Sequence, residues 1–328
     1  MSDHADYHDQ RSDLHTIVQR LRMIDTRLRV LQVVAHRGTL AAAAHDLGYT
    51  PSALSAQLRT LSRDVGTPLL QPEGRRLRLT PAGRVLLERA DALFAEWAEV
   101  HAAVLAAGGT GLGRLRLAGF STAASALLAE VATSARDEAV ETTVTVIEAE
   151  PLACFEMLLA DRADIAVVVA GGPLPPSDDP RFEQQPLLVD TLDLLVPAGH
   201  RLAERESISL VEAEHEPWIT DRPGSTYSDL TLAACSAAGF VPRQAHQALE
   251  WDTAASLVAA GLGVALIPRL ARLPLVGSLV RVPLRGEGAP VRHVRTAVRR
   301  GTSSQPEIAW GLQCLRRTAD RLTAETTA

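Results

Sequence analysis

The chain has 328 residues, no lysine, and 33 arginines against 39 acidic side chains, a formal net charge of −6. Apolar residues make up 46% and charged residues 22%, which excludes a wholly disordered or low-complexity chain, and the length suits two or three domains. Asp3, Asp6, Asp9, Asp13 and Arg11 leave no apolar signal-peptide core at the start, and the longest apolar stretch, 257–268, is too short to span a bilayer. Cys154, Cys235 and Cys314 lie far apart with no Cys-x-x-Cys neighbour, so neither a disulfide framework nor a zinc ribbon is readable. A soluble, cytoplasmic protein without metal or cofactor is expected.

The charge is unevenly spread. Residues 25–84 hold nine arginines against Asp25, Asp46, Asp64 and Glu73, a net of +5, whereas residues 85–328 carry a net of −10. A small basic segment on a large acidic body suits one domain that meets phosphates and another that stays in solution; chance clustering is the blander alternative.

Residues 1–22 are polar, without an apolar period, and read as a flexible tail. Asp25 can cap a helix with Leu28, Leu31 and Val34 on one face, ended by Gly38. Thr39 caps a short alanine-rich helix, 40–47. After the Gly48-Tyr49 turn, Thr50-Pro51 opens a third helix that runs to about Asp64, the strongest helix start in the chain. Two helices joined through such a turn form a helix-turn-helix. At 100° per residue Leu54, Leu58, Leu61 and Val65 form the buried stripe of the third helix. Ser52, Ala56, Arg59 and Arg63 face the other way, flanked by Ser55 and Thr60. Small polar residues at the N-terminus, with arginine further along, suit entry into a major groove, where Arg59 can reach guanine or a phosphate. A solvated face would show similar serines.

Leu77 and Leu79 alternate with Arg76 and Arg78, and Glu73-Gly74 supplies a turn, giving a basic hairpin beside the helix-turn-helix, a wing. Thr80-Pro81 opens a long helix to about Ala107. Its apolar positions Leu86, Ala90, Leu93, Trp97, Val100 and Val104 follow a heptad seam suited to pairing with a second copy, although a helix packed on its own domain could show the same spacing.

From Gly113 strands alternate with helices: a strand at 115–117, a helix over 123–138, a strand at 143–147, a helix at 152–159 and a strand at 165–169. Further strands are predicted at 187–189, 192–196, 264–267, 279–282 and 293–298, and a last helix over 305–322. This rhythm implies an α/β domain with a mostly parallel sheet.

Asp25 through Gly83 resembles the N-terminal domain of LysR-type transcriptional regulators. The resemblance rests on Ala35-His36-Arg37-Gly38-Thr39, Ala41 to Ala44 before Leu47, and Thr50-Pro51-Ser52-Ala53-Leu54-Ser55. Gln57-Leu58-Arg59, Leu61, Val65-Gly66-Thr67-Pro68-Leu69-Leu70 and Leu79-Thr80-Pro81-Ala82-Gly83 complete it. The chain departs at Ser62, where an acidic residue is usual, and at Pro72, where an arginine is usual, so affinity leans on Arg75, Arg76 and Arg78. Met23-Ile24-Asp25 looks like the family's usual start, so translation from Met23 is expected, with residues 1–22 an artefact of annotation or an extension.

The body resembles the family's effector-binding domain, which has the two-lobed fold of type II periplasmic solute-binding proteins. Leu158-Leu159-Ala160-Asp161 before Asp164-Ile165-Ala166 carries the likeness in lobe one, and 257–268 matches the second crossing. The resemblance implies a winged helix-turn-helix over 23–83, a linker and dimerisation helix over 84–108, and an effector-binding domain over 112–328. Lobe one is expected at about 112–189 and 270–325, lobe two at about 190–269. DNA contacts fall on Thr50, Pro51, Ser52, Ala53, Ser55, Ala56, Arg59, Thr60, Arg63, Arg75, Arg76 and Arg78. Cleft candidates are Ser121, Thr122, Ser225, Thr226, Asp252 and Thr253, whose hydroxyls and helix-start N–H groups favour an anionic ligand, with plain N-capping as the alternative. Trp251 can stack on an aromatic ligand or sit in the core.

The expected partners are a double-stranded DNA operator, a second copy in a homodimer or homotetramer, a small-molecule effector, and RNA polymerase if the protein activates. No Gly-x-Ser-x-Gly elbow, His-Glu-x-x-His pair or Walker loop supports an enzyme. His4, His8 and His15 read as solvated. A solute-binding module without DNA activity would explain the body but not the basic segment.

Overall fold

The computed structural model describes residues 24–108, 113–138, 142–171, 174–273, 279–286 and 289–327. The tail 1–22 and the Met23 start lie outside them. The chain divides into two compact units, taken separately below.

In the first unit three helices follow the sequence signals: α1 (Thr26–Arg37), α2 (Leu40–Leu47) and α3 (Pro51–Val65). Each starts at its expected cap. Asp25 accepts the Arg27 N–H, Thr39 the Ala42 N–H and Thr50 the Ala53 N–H. Each ends on a glycine in the left-handed region, Gly38, Gly48 and Gly66. Ala43 and Ala44 are buried, so α2 approaches its neighbours closely, and Leu31, Leu54, Leu58 and Leu61 fill the space between. Burying one such leucine contributes about 1.5–3 kcal/mol. Val65 departs from the expected stripe and stays 43% exposed, because it is the last helical residue and no described element covers it.

The hairpin pairs β1 (Leu70–Glu73) with β2 (Arg76–Leu79), Leu70 opposite Leu79 and Glu73 opposite Arg76. Its turn is Gly74-Arg75, one residue later than Glu73-Gly74 suggested. The Leu77 N–H donates to the Gly38 carbonyl at 2.8 Å and joins the hairpin to the end of α1. α4 (Pro81–Gly108) follows. Its first two seam positions are not free: Leu86 packs against the helical core and Ala90 lies within it, because the first turns of α4 close the winged domain. Beyond Ala90 the seam is open except at Trp97, which is half-buried. Leu93, Val100 and Val104 are 51%, 47% and 63% exposed.

The second unit is built on a sheet of β3 (Arg114–Gly119), β4 (Thr143–Glu148), β5 (Ile165–Val169), β6 (Phe182–Pro197), β9 (Ala265–Pro268), β10 (Leu279–Val282) and β11 (Val291–Arg299). The strand order is β10-β6-β11-β5-β3-β4, with β9 also on β6. β3 runs parallel to β4 and to β5; β11 opposes β5, and β9 and β10 oppose β6. The sheet is therefore mixed, not mostly parallel, since the strands that return to β5 and β6 arrive from the opposite direction. A separate parallel pair, β7 (Pro217–Thr220) and β8 (Arg243–Gln247), was not foreseen.

The helices are α5 (121–137), α6 (Pro151–Leu159), α7 (Thr226–Ala237), α8 (Trp251–Ala259) and α9 (Pro306–Thr327), with a π turn at Ala124–Leu128 inside α5. Two cores result. One gathers Leu115, Leu117, Leu127, Ile165, Val167, Val298 and Leu315; the other gathers Leu194, Val196, Trp218, Cys235, Leu266 and Val282. The strands predicted separately at 187–189 and 192–196 are one strand, β6, which passes from the first core at Leu188 to the second at Leu192. β10 pairs with the far half of β6 and places Val282 in the second core, although 270–325 was expected in lobe one.

A Cβ on residue 83 would stand 2.1 Å from the Leu69 carbonyl oxygen, whereas one on residue 113 meets nothing within 4 Å. Gly83→Ala should therefore destabilise the winged domain by about 1–3 kcal/mol, with Gly113→Ala near neutral. Thermal unfolding of the two variants checks this; equal melting temperatures would contradict the close approach.

Candidate nucleic-acid interface and ligand cleft

On α3, Ser52, Ala56, Arg59 and Arg63 are exposed as expected, and Ser55 is half-buried. The Arg59 Nη1 donates to the Ser55 Oγ at 2.6 Å, which lays the guanidinium along the helix. Two of the expected contact hydroxyls are already engaged by the helix itself. Thr50 Oγ1 caps the Ala53 N–H, and the Thr60 hydroxyl donates to the Ala56 carbonyl at 3.0 Å. Pro51 is exposed and Ala53 half-buried.

A groove of about 720 Å³ runs between α3 and the hairpin. Ser55, Arg59, Ser62 and Arg63 line one wall, Leu70 and Leu77 the other. Ser62, where an acid was expected, leaves that wall without a negative charge. Pro72 lies exposed on β1, where a missing N–H is tolerated in a two-stranded hairpin. The wing arginines differ among themselves. Arg78 is held by Glu73 at 2.7 Å, while Arg75 and Arg76, like Arg59 and Arg63, make no ion pair among the described residues. Four exposed, unneutralised guanidinium groups on one small domain are free to pair with anions such as phosphates.

The six cleft candidates open three helices of the second unit. Ser121 is half-buried at the start of α5, and Thr122 is 2% exposed, its Oγ1 accepting from Arg292 Nη2 at 2.9 Å. Ser225, not Thr226, caps α7, taking the Ser228 N–H at 3.1 Å, and Thr226 is exposed. Asp252 accepts the Thr253 N–H at 2.8 Å inside the first turn of α8. The last four thus satisfy local backbone or face solvent. Trp251 is half-buried, edge-on to Tyr227 with ring centroids 4.7 Å apart.

Sequence reasoning missed Arg292, Asp190 and Tyr227. Asp190 takes the Leu270 N–H at 3.1 Å and Arg292 Nη2 at 2.5 Å. The Tyr227 hydroxyl donates to the Leu266 carbonyl, and burial pushes its pKa up, an effect the Arg292 charge opposes. No group of side chains that could hold a metal ion occurs among the described residues, and no helix among them is long and apolar enough to cross a membrane.

Comparison with known proteins places both units. Residues 26–84 match the model of bacterial regulatory helix-turn-helix proteins of the lysR family, and residues 108–320 match that of the LysR substrate binding domain. The chain is 28% identical over 253 residues to the HTH-type transcriptional regulator ShiR of Corynebacterium glutamicum (strain R), covering 76% of this chain and 84% of that one. It is 30% identical over 266 residues to a probable hydrogen peroxide-inducible genes activator of Mycobacterium avium, covering 80% and 83%. Its fold is shared with CbnR, a regulator solved with its target DNA, at a TM-score of 0.52 and 23% identity over 89% of this chain and 98% of that one.

The cysteines bear on the second likeness. All three are buried, and desolvation pushes the Cys154 and Cys235 thiols each up to about 12 and raises that of Cys314. Reactive thiols need the opposite shift. Iodoacetamide at pH 8 should leave Cys154 and Cys235 unmodified in the native protein and label them in urea; rapid native labelling would contradict the burial. The unfolded chain ionises these thiols near 9.0 and the folded one only near 12. Their contribution to stability is therefore present below pH 9 and lost between about pH 9 and pH 12.

Proposed function

This chain belongs to the LysR family of bacterial regulatory proteins, and from that premise we propose that it acts as a paired, ligand-responsive regulator. It is a DNA-binding transcriptional regulator with a helix-turn-helix domain and an effector-binding domain. The finer reading assigns α3 to the major groove, with Ser52, Ala56 and Arg59 toward base edges. The groove between α3 and the hairpin takes one sugar–phosphate strand, flanked by Arg59 and Arg63 and by the wing cations Arg75 and Arg76. The observation that carries this is the set of four exposed arginines without ion pairs on a domain of net +5, in a chain of net −6.

Pairing with a second copy is assigned to the open part of α4, where Leu93, Val100 and Val104 recur at heptad steps and remain exposed. The effector is a small molecule held without covalent chemistry, as the buried, high-pKa thiols support. A DNA target suits a cytoplasmic protein that regulates without catalysing, with RNA polymerase as a partner if it activates.

Equilibrium binding of the full chain to DNA from upstream of its own gene, against random DNA over a salt series, tests the reading. Arg76→Ala should lower the salt slope by about 0.9, and Arg78→Ala by less, because Glu73 already holds that side chain. Arg59→Ala should cost about 1–3 kcal/mol on the preferred sequence and little on random DNA. Equal losses on both would make Arg59 a phosphate anchor, and unchanged slopes would remove the wing from the interface. Leu93→Glu with Val100→Glu should yield a monomer by light scattering with little change in melting temperature; an unchanged dimer would place the pairing surface elsewhere.

A further inference from the structure

α4 is held to the winged domain at two places before its open seam begins. The first is its opening turn. The Thr80 Oγ1 accepts the Gly83 N–H at 3.0 Å and donates to the Pro68 carbonyl at 2.7 Å, while the Thr80 N–H donates to the Leu69 carbonyl at 3.0 Å. The second lies about two turns further on, against α1. There Gln32 Nε2 donates to Asp91 Oδ1 at 2.6 Å, and the Arg29 guanidinium lies over the Phe94 ring, 4.7 Å from its centroid. Arg29 and Gln32 are three residues apart on α1, as Asp91 and Phe94 are on α4, so the helices meet along one face of each. Leu87 and Ala90 of α4 belong to the same core as Leu28 and Leu31 of α1.

Gln32 is the unusual member of this contact. It is 7% exposed, and among the described residues of the winged domain it is the one buried polar side chain. Stability alone does not call for it, since its bond to Asp91 has first to offset the desolvation of both groups. A polar pair in an apolar interface does something else: it fixes register, because any other alignment strands a donor or a carboxylate. Sliding α4 by one turn along α1 would shift it by about 5.4 Å and break the bond. Leu93 lies between Asp91 and Phe94 in the chain but roughly 100–160° from them around the helix. The same stretch of α4 is thus tied to its own domain on one side and open on the other, where Leu93 is 51% exposed.

We propose that Gln32 is a positioning residue for DNA recognition: its bond to Asp91 fixes the register of α4 on α1, and with it the half-site spacing that a pair of chains accepts. The proposal rests on the reading of α4 as the pairing helix and adds what sets the distance between the two copies of α3. In each chain α3 shares a core with α1, α1 is bonded to α4, and α4 carries the pairing seam. The two recognition helices therefore keep a fixed separation only if the joint between α1 and α4 keeps its register. Moving two half-sites apart by two base pairs shifts one by about 7 Å along the duplex and turns it by about 70°, more than side chains on α3 can follow.

Equilibrium binding of the full-length protein tests this on duplexes that carry two copies of its half-site, found by selection from random DNA, with their separation stepped one base pair at a time. The wild type should prefer one separation by about tenfold over those two base pairs to either side. Gln32→Leu with Asp91→Leu removes donor and acceptor together, and the preference should disappear while affinity for a single half-site stays unchanged. Gln32→Met, the smaller change, should weaken the preference in the same direction. Asp91→Asn keeps an acceptor for the Gln32 amide and should keep the wild-type preference. A sharp preference in both Gln32 variants would overturn the role of Gln32, as would its loss in Asp91→Asn. A wild type that binds paired half-sites equally well at every separation would overturn the fixed spacing while leaving the pairing. A wild type that binds two half-sites no better than one would overturn the paired reading itself.

Discussion

The exposed polar face of α3 depends on a tight turn at Gly48. Its backbone, at φ 68°, lies where side-chain-bearing residues are strained, and it lets α2 stop and α3 begin three residues later, at Pro51. The Tyr49 N–H then reaches back to the Ala44 carbonyl at 2.9 Å, so the turn is closed by backbone alone. With the angle between α2 and α3 set, Leu54, Leu58 and Leu61 must enter the core, and Ser52, Ala56, Arg59 and Arg63 must leave it. The wing is tied to the same frame through Leu77 and Gly38.

Charge separates the tasks of the two domains. The winged domain keeps cations without partners, which would be wasteful in a surface with no anionic target. The effector-binding domain does the reverse: Arg292, buried, is tied to the still more deeply buried Asp190 and to the Thr122 hydroxyl. A buried charge persists only when paired and hydrogen-bonded, and Asp190 and Arg292 have each other, the Leu270 N–H and the Thr122 hydroxyl for that.

What could be read in advance was local. Caps at Asp25, Thr39 and Thr50, and the glycines that end their helices, are decided by chemistry within four residues, and all stand where expected. The exposed face of α3 followed from helical period alone. Where neighbours decide, the pattern misled: Val65 fits the stripe but nothing covers it, and Leu86 and Ala90 fit the seam but fill a core. Strand direction is not written in any one strand, hence the mixed sheet. β7 and β8, with sequences PWIT and RQAHQ, lack the alternation that marks a half-buried strand. Arg292 escaped notice because its partners, Asp190 and Thr122, lie 102 and 170 residues away in the chain.

The central claim is that the basic winged domain reads a defined DNA sequence as a pair. Footprinting of the full-length protein on its own upstream region tests it most directly. The account predicts two protected half-sites on one face of the duplex, separated by a whole number of turns of about 10.5 base pairs. Uniform protection without a preferred sequence, at every salt concentration that permits binding, would contradict it.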